Sequence, residues 1–435
     1  MKPVIGIRRE DKNKWERRVP LIPEDLADFI SQGVLECLVQ PSGIRVFPDQ
    51  DYIRAGAQIV EDLSPCKVVF GVKEFPLDFI KPHGTYMFFS HVIKGQEYNM
   101  PLLQKLLDQK CQLIDYETVV NEKNQRLIFF GSHAGRAGMI ETLCAFGKRL
   151  AWENIPNAFS RIQHAYQYES LEKAKEAISS VGQQITSEGL PEGLVPLVCG
   201  FAGYGHVAKG AQEIFDILPV EMIDPPDLER FFARGEFSRH IVYKSVFKEE
   251  HMAEPNIEGT AFQLQDYYDH PEKYRGIFKR FLPYLSILMN CIYWNERYPR
   301  LMTKEDARAM YGSNHARLKV IGDISCDING AIEFTEKVTT PSEPTFVYDF
   351  EKDRIIDGWQ GKGPVVMAVD NLPCELPRES SVDFSRILKP FVGHLARADF
   401  TVPFDALKLP PEIKRAIIVY QGELTENYKY LENHL

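Results

Sequence analysis

The chain has no closely spaced cysteines. Its eight lie at 37, 66, 111, 144, 199, 291, 326 and 374, and the nearest two, Cys37 and Cys66, are 29 positions apart. No C-x-x-C pair therefore exists for a metal or a redox centre. Most of the eight sit in apolar runs and read as buried free thiols, which fits a reducing, cytoplasmic compartment. No apolar run approaches the roughly eighteen residues of a membrane span. Basic residues are in the minority, 51 against 61 acidic, for a net charge of −10. That argues against nucleic acid as a partner, because phosphate binding wants a basic face. Repeats, low-complexity stretches and a disordered linker are absent too. The start, Met1-Lys2-Pro3-Val4-Ile5-Gly6, runs almost at once into a strand, with no signal or transit segment ahead of it.

What is present is ordinary for a globular protein, 44% hydrophobic and 26% charged over 435 residues. That length allows two or three domains. Residues 1–136 alternate strands with helices, the pattern of a parallel α/β sheet. Val4–Ile7, Leu35–Val39, Lys67–Val72, Tyr86–Ser90 and Cys111–Asp115 read as strands; Pro23–Ile30 and Met100–Lys110 read as helices. Lys73, His91 and Glu117 each follow a strand, and ligands in such sheets bind at the carboxyl ends of strands. Residues 137–190 read as mainly helical, with one helix over Met139–Trp152 and at least one more within Ala158–Ser180.

The most informative stretch is Val195-Pro196-Leu197-Val198-Cys199-Gly200-Phe201-Ala202-Gly203-Tyr204-Gly205-His206-Val207-Ala208. A buried apolar run leads into three glycines. An amphipathic helix through Val207, Ala211, Ile214, Phe215 and Leu218 follows. Strand, glycine turn and helix are the context of a dinucleotide fingerprint. Gly203 allows the tight turn, Gly205 lets a pyrophosphate approach the backbone, and Ala208 stands for the last small residue. The helix N-terminus offers N–H groups and a positive dipole end. A second apolar stretch, Val220–Ile223, ends at Asp224, where an acid would hold the adenosine ribose. The competing reading is a glycine-rich turn before a surface helix. Beyond Asp224 the pattern is less regular. Phe281–Tyr293 reads as helix then strand, Leu318–Ser325 and Val365–Asp370 as strands, and Pro377–Ala396 as a helix returning the chain to the first domain.

Several motifs occur in order: Ile7-Arg8-Arg9-Glu10, Glu16-Arg17-Arg18-Val19-Pro20, Val72-Lys73-Glu74, Ser90-His91 and Gly131-Ser132-His133-Ala134-Gly135-Arg136-Ala137-Gly138. The fingerprint, Asn290-Cys291-Ile292-Tyr293-Trp294, Gly322-Asp323-Ile324-Ser325 and Asp370-Asn371-Leu372-Pro373 follow. Together they resemble the lysine–2-oxoglutarate reductase (saccharopine-forming) family and, more distantly, alanine dehydrogenase and the N-terminal part of nicotinamide nucleotide transhydrogenase. The resemblance spans nearly the whole chain. It implies two Rossmann-like α/β domains with parallel sheets and the active site in the cleft between them. The substrate domain would be discontinuous, 1–136 with 378–435, around a nucleotide domain at 137–377.

The resemblance further implies an oxidoreductase that joins L-lysine to 2-oxoglutarate and reduces the imine to saccharopine. Lys73 and His91 would be its acid–base pair; singly, they read better as a solvated lysine and a structural histidine, and it is their pairing in these motifs that points to function. Arg18 would clamp a substrate carboxylate, as a guanidinium fork does, while Arg17 reads as a surface charge. Glu117 matches an acid near the lysine amine or the catalytic lysine, or else a helix-start carboxylate. Arg136 would meet a second carboxylate, and His133 has no counterpart. The cofactor would touch Gly200, Gly203, Tyr204, Gly205, His206, Val207, Asp224, Asn290, Asp323, Asn371 and Leu372. Asp323 also reads as a turn aspartate bonding its own backbone. Asp224 favours NAD, whose 2′-hydroxyl is free, whereas the resemblance implies NADPH, with Arg230 within reach only if its loop folds back. Expected partners are small molecules and no metal, nucleic acid or membrane; a homo-oligomer is left open. Two other readings remain: a relative with another substrate pair, such as an alanine dehydrogenase, and a non-catalytic NAD(P)-binding regulator.

Overall fold

Apolar strands flanked by amphipathic helices are stable only in layers, and the chain builds two such layered units. The computed structural model describes residues 2–312 and 316–435. Unit 1 comprises Met1–Phe130 and Pro377–Leu435, and unit 2 comprises Gly131–Leu376. The sequence pattern pointed to divisions at 136/137 and 377/378. Helix Gly131–Trp152 begins eight residues before the expected Met139 and lies whole within unit 2.

Unit 1 is an eight-stranded sheet in the order Glu423–Leu424, Ile417–Tyr420, Gln112–Asp115, Thr85–Phe88, Val68–Phe70, Val4–Ile7, Glu36–Val39, Gln58–Ile59. Six strands pair in parallel; Ile417–Tyr420 joins antiparallel. The strand order reverses between Val4–Ile7 and Val68–Phe70. A reversal point opens a crevice at the carboxyl ends of the strands. The residues that follow these two strands include Glu10 and Lys73. The returning helix, Pro377–Arg397, is fastened to the start of the chain by two serines. Ser381 Oγ accepts from the Val19 N–H and Ser385 Oγ from the Ile22 N–H, both at 3.0 Å.

Unit 2 has a second eight-stranded sheet, ordered Arg354–Asp357, Thr345–Asp349, Val365–Met367, Val320–Asp323, Ile287–Asn290, Val198–Ala202, Val242–Phe247, Val220–Met222. The pairings are parallel except around Thr345–Asp349, which is antiparallel to both of its neighbours. The segment after Asp224 is more regular than its sequence suggests. Val242–Phe247 is a buried strand in direct contact with the fingerprint strand. Where Phe281–Tyr293 was expected to open with a helix, there is only the 3-10 turn Leu282–Tyr284 before strand Ile287–Asn290. Pro283 at the start of that turn leaves no room for a longer α-helical run. Ala158–Ser180 resolves into two 3-10 turns and the first part of helix Leu171–Glu188. Among the described residues, no helix is long and apolar enough to cross a membrane.

Helices Gly131–Trp152 and His206–Phe215 approach at backbone contact. A Cβ on Gly135 would stand 2.0 Å from the Val207 carbonyl oxygen, and one on Gly210 would stand 2.1 Å from that of Ser132. No side-chain repacking relieves a clash with backbone, so the helices would have to part. Gly135→Ala should therefore destabilise unit 2 by about 3 kcal/mol, read as a drop in the urea midpoint. A loss under about 0.5 kcal/mol would show that the helices are not held this closely.

Candidate functional site

In unit 1 the strand ends collect charged side chains that an apolar sheet would otherwise exclude. Arg18 is 2% exposed and Glu16 is 1% exposed. The Arg18 Nε donates to Glu16 Oε1 at 2.7 Å and its Nη2 to Oε2 at 2.5 Å, a two-pronged ion pair. The guanidinium also lies over the Phe130 ring, 4.3 Å from its centroid. Glu16 thus occupies two prongs of the guanidinium that the sequence reading assigned to a substrate carboxylate. Burial and the neighbouring Arg18 charge hold the Lys73 ammonium below its ordinary value, against the pull of Glu16. Lys73 is half-buried, not the solvated strand-end lysine of the competing reading.

His91 stands at the end of the next strand with φ +54°. Its Nδ1 meets Glu74 Oε1 at 2.6 Å. Glu74 also receives the Lys12 ammonium at 3.0 Å. Burial alone would raise the Glu74 carboxyl, but the His91 bond and the two cationic neighbours outweigh it and hold it down at about 2. The contact orients the imidazole and leaves Nε2 as the nitrogen available to a ligand. Asn99 Nδ2 donates to the His91 carbonyl at 2.8 Å. Glu117 is half-buried in the 3-10 turn Tyr116–Thr118, with Arg126 Nη1 3.6 Å from its Oε1. It is therefore a turn-start carboxylate, as the competing reading had it.

In unit 2 the fingerprint glycines play unlike parts. Gly203 has φ +100°, a conformation that disfavours any side chain. Gly205 forms the N-cap of helix His206–Phe215, and a Cβ there would meet nothing within 4 Å. Tyr204 and His206 are exposed and Val207 half-buried. The turn is thus an open backbone cradle at a helix N-terminus, which fits a pyrophosphate. Gly200 belongs to the strand instead. It lies within Val198–Ala202, and a Cβ there would press on Leu285 at 2.8 Å and Phe247 at 2.9 Å. Its missing side chain serves packing.

Asn290 and Asp323 end adjacent parallel strands in direct register. Asn290 Nδ2 donates to Asp323 Oδ1 at 2.8 Å, Thr335 Oγ1 donates to Oδ2 at 2.6 Å, and the Cys326 N–H donates at 3.1 Å. The last contact is the turn-aspartate bond that the competing reading foresaw. Leu372 is buried, placed so that its Cδ1 would lie 3.1 Å from a Cβ on Gly138. Asn371 is half-buried just ahead of the short turn Leu372–Glu375.

Two assignments change their setting. Asp224 follows the edge strand, and Val242–Phe247 lies between that strand and the fingerprint strand. A ribose acid acts from the strand beside the glycine turn, so the position falls to the exit of Val242–Phe247, at Lys248 and Glu249. There the Gly203 N–H donates to the Phe247 carbonyl at 3.0 Å, and Tyr268 Oη donates to Glu249 Oε1 at 2.6 Å. Arg136 is the second. Its Nε and Nη2 reach Glu213 Oε2 at 2.9 and 2.8 Å, which ties the guanidinium to helix His206–Phe215. Arg230 similarly donates to Asp227 Oδ1 at 2.7 Å.

Sequence reasoning assigned no role to Glu16, Glu74 or Lys12. Each stands beside a residue it did single out, within a motif it quoted or just ahead of one. A carboxylate two positions from an arginine, just ahead of the apolar run at residues 19–22, is the signal that was there to read. Among the described residues no cluster of His, Cys, Asp and Glu could hold a metal.

Burial raises the Asp323 carboxyl from 3.8 to about 6, against the bonds from Thr335, Asn290 and Cys326. Because the folded value lies above the ordinary one, its stabilising contribution is whole at low pH and is lost as pH rises through about 6. The stability of the parent relative to Asp323→Asn should thus be greater at pH 5 than at pH 7 in urea titrations. A constant or reversed difference would contradict the assigned environment.

The geometry has counterparts in known proteins. The alanine dehydrogenase/PNT N-terminal domain matches residues 6–137, and the C-terminal domain of the same family matches residues 294–427. An alpha-aminoadipic semialdehyde synthase of Arabidopsis thaliana is 38% identical over 445 residues, covering 98% of this chain and 41% of the relative. The mitochondrial alpha-aminoadipic semialdehyde synthase of Bos taurus is 36% identical, covering 99% and 48%. The chain thus spans less than half the length of these curated relatives. A saccharopine dehydrogenase (NAD(+), L-lysine-forming) of Emericella nidulans is 26% identical over 89% of this chain and 90% of its own. A solved L-alanine dehydrogenase superposes with a TM-score of 0.63 at 18% identity, covering 99% of this chain and 98% of that one, so the two share a fold. Matched by both domains of one family, the chain belongs to the alanine dehydrogenase/PNT family, whose cofactor class is the nicotinamide nucleotide.

Proposed function

We propose that the chain condenses L-lysine with 2-oxoglutarate and reduces the product to saccharopine, and catalyses the reverse reaction. The observation that carries this reading is the set at the strand ends of unit 1: a desolvated lysine, an oriented histidine and a buried arginine fork. The relatives named for alpha-aminoadipic semialdehyde and for saccharopine supply the substrate class.

The lysine ε-amine adds to the keto carbon of 2-oxoglutarate, forming a C–N bond and a carbinolamine. Loss of its hydroxyl as water leaves a protonated imine. A nicotinamide nucleotide, when bound, supplies the hydride that reduces that carbon. What this chain must provide is proton management and charge neutralisation. Arg18, held in place by Glu16, supplies the fixed positive charge that a substrate carboxylate meets. Lys73, with its ammonium held low by burial and Arg18, exchanges a proton at the amine or the carbinolamine oxygen. His91 does the same through Nε2, its ring fixed by Glu74. Glu117 supplies negative charge near the developing iminium. Arg136, engaged by Glu213, is given no substrate role.

For the reductant we propose NADPH. Lys248 emerges from the strand next to the glycine turn, and the His251 ring nitrogen accepts its backbone N–H at 3.1 Å. Burial holds the His251 imidazole low, and the Lys248 and Arg280 charges press the same way, with Glu250 and Asp224 opposing. The Lys248 and Arg280 charges that bear on His251 are ones that a dianionic 2′-phosphate would meet favourably. Lys248→Ala should lower kcat/KM with NADPH about tenfold more than with NADH. An equal loss with both nucleotides would remove the 2′-phosphate from this position.

Oxidation of NADPH should require lysine and 2-oxoglutarate together. Lys73→Met and His91→Gln should each lower kcat by about 10²–10⁴, measured by absorbance of the reduced nucleotide. Oxidation with pyruvate and ammonia instead would make the chain an alanine dehydrogenase. Nucleotide binding without turnover would make it a regulator.

A further inference from the structure

Behind the proposed acid–base groups lie two more carboxylates that touch no substrate position. Glu10 follows strand Val4–Ile7 and is 6% exposed; Asp115 ends strand Gln112–Asp115 and is fully buried. Glu10 Oε1 accepts from the Val72 N–H at 2.6 Å and its Oε2 from the Lys73 N–H at 3.0 Å. Asp115 Oδ2 accepts from the Ser90 N–H at 3.0 Å and from the Ser90 hydroxyl. Its Oδ1 accepts from the Glu117 N–H at 2.7 Å. Each carboxylate therefore grips the backbone at or next to a residue that carries function: Lys73 in one case, His91 and Glu117 in the other. The chain leaves its strands at just these positions; the Val72 carbonyl still accepts from the Phe89 N–H at 3.0 Å, but the Val72, Lys73, Ser90 and Glu117 N–H groups turn to a carboxylate.

We propose that Glu10 and Asp115 are positioning residues, each carboxylate clamping two backbone N–H groups and thereby setting where the Lys73, His91 and Glu117 side chains stand. This rests on the function proposed above. A carboxylate suits the task because both oxygens accept, whereas an amide or a protonated acid offers one acceptor and turns a donor toward the second N–H. The Tyr116 ring lies between the two clamps. Its hydroxyl is buried with no hydrogen-bond partner, and burial, followed by the Glu10 and Asp115 charges, pushes its ionisation well up.

The same burial makes the clamps sensitive to pH. Glu10 is raised to about 7 by burial and by Glu16, with the two N–H bonds and Arg8 opposing. Asp115 is raised to about 6 by burial and by Glu117, with Ser90 and the Glu117 N–H opposing. Around Glu10 the ionisable groups are Arg8, Glu16, Lys73 and Tyr116; around Asp115 they are Glu117, Tyr116 and Tyr428. As pH falls through 7 and then 6, each clamp gains a proton and loses an acceptor.

The test pairs kinetics with amide hydrogen exchange on the full chain. Glu10→Gln should lower kcat about tenfold or more, with KM for each substrate within about threefold. It should also flatten the fall in kcat between pH 7 and 6, and speed exchange at residues 72–73 while the central strands keep their protection. Asp115→Asn should do the same at residues 90 and 117, and it carries the test if Glu10→Gln does not fold. A kcat within about twofold of the parent, or unchanged exchange at those amides, would overturn the proposal. If the parent fails to turn over lysine and 2-oxoglutarate, the functional reading falls, and the exchange measurement alone decides whether the clamps exist.

Discussion

Removing charge from water is expensive, and unit 1 does it at the ends of its central strands. The Arg18–Glu16 pair sits where neither partner meets solvent. Breaking such a pair by deleting one member costs about 3–5 kcal/mol, because the other is left charged and unpaired. As a contribution to stability the pair is poor value, since apolar residues of similar volume often do as well. Its use is electrostatic. A fixed guanidinium in a dry setting, together with burial, depresses the ammonium of Lys73. The neighbouring charges follow from this one. Glu74 and Lys12 organise His91, while Glu10 and Asp115 fasten the backbone beneath.

The parallel sheet makes the arrangement possible. Parallel strands deliver their carboxyl ends to one edge, so residues far apart in sequence arrive side by side. Glu10, Lys73, His91 and Glu117 each come from a different strand exit. The strand order reverses between Val4–Ile7 and Val68–Phe70, the place where the chain can open around a ligand. Unit 2 follows the same rule at its glycine turn, with Gly203 bending the backbone and Gly205 leaving it bare.

Much of this was legible in the sequence, for physical reasons. Strand–helix alternation in residues 1–136 announced the first sheet, because buried parallel strands are continuously apolar. The fingerprint was readable because turn, close approach and helix start each demand a particular residue. Lys73, His91 and Glu117 stood out as polar residues just past strand ends, whereas Arg18 was marked only by the family resemblance. Strand neighbours were not legible. Nothing local says that Val242–Phe247, and not Val220–Met222, lies beside the fingerprint strand, so the expectation at Asp224 assumed a strand neighbour that the topology does not give it. Partner choice was equally hidden. Arg136 reads as a free cation until helix His206–Phe215 brings Glu213 to it. Gly200 looked like part of the turn because glycine in a strand and glycine in a turn are spelled alike. Buried carboxylates were missed for the converse reason, since composition presents Glu10 and Asp115 as surface charge.

The account stands or falls on the state of the Lys73 amine. Lysine labelled with carbon-13 at the ε position, with the signal assigned by its loss in Lys73→Arg, reports that amine by NMR as pH is raised. The account predicts a titration clearly below the ordinary 10.5, shifted back upward when Arg18 is replaced by methionine. A Lys73 that titrates at or above 10.5 in the intact protein would contradict it.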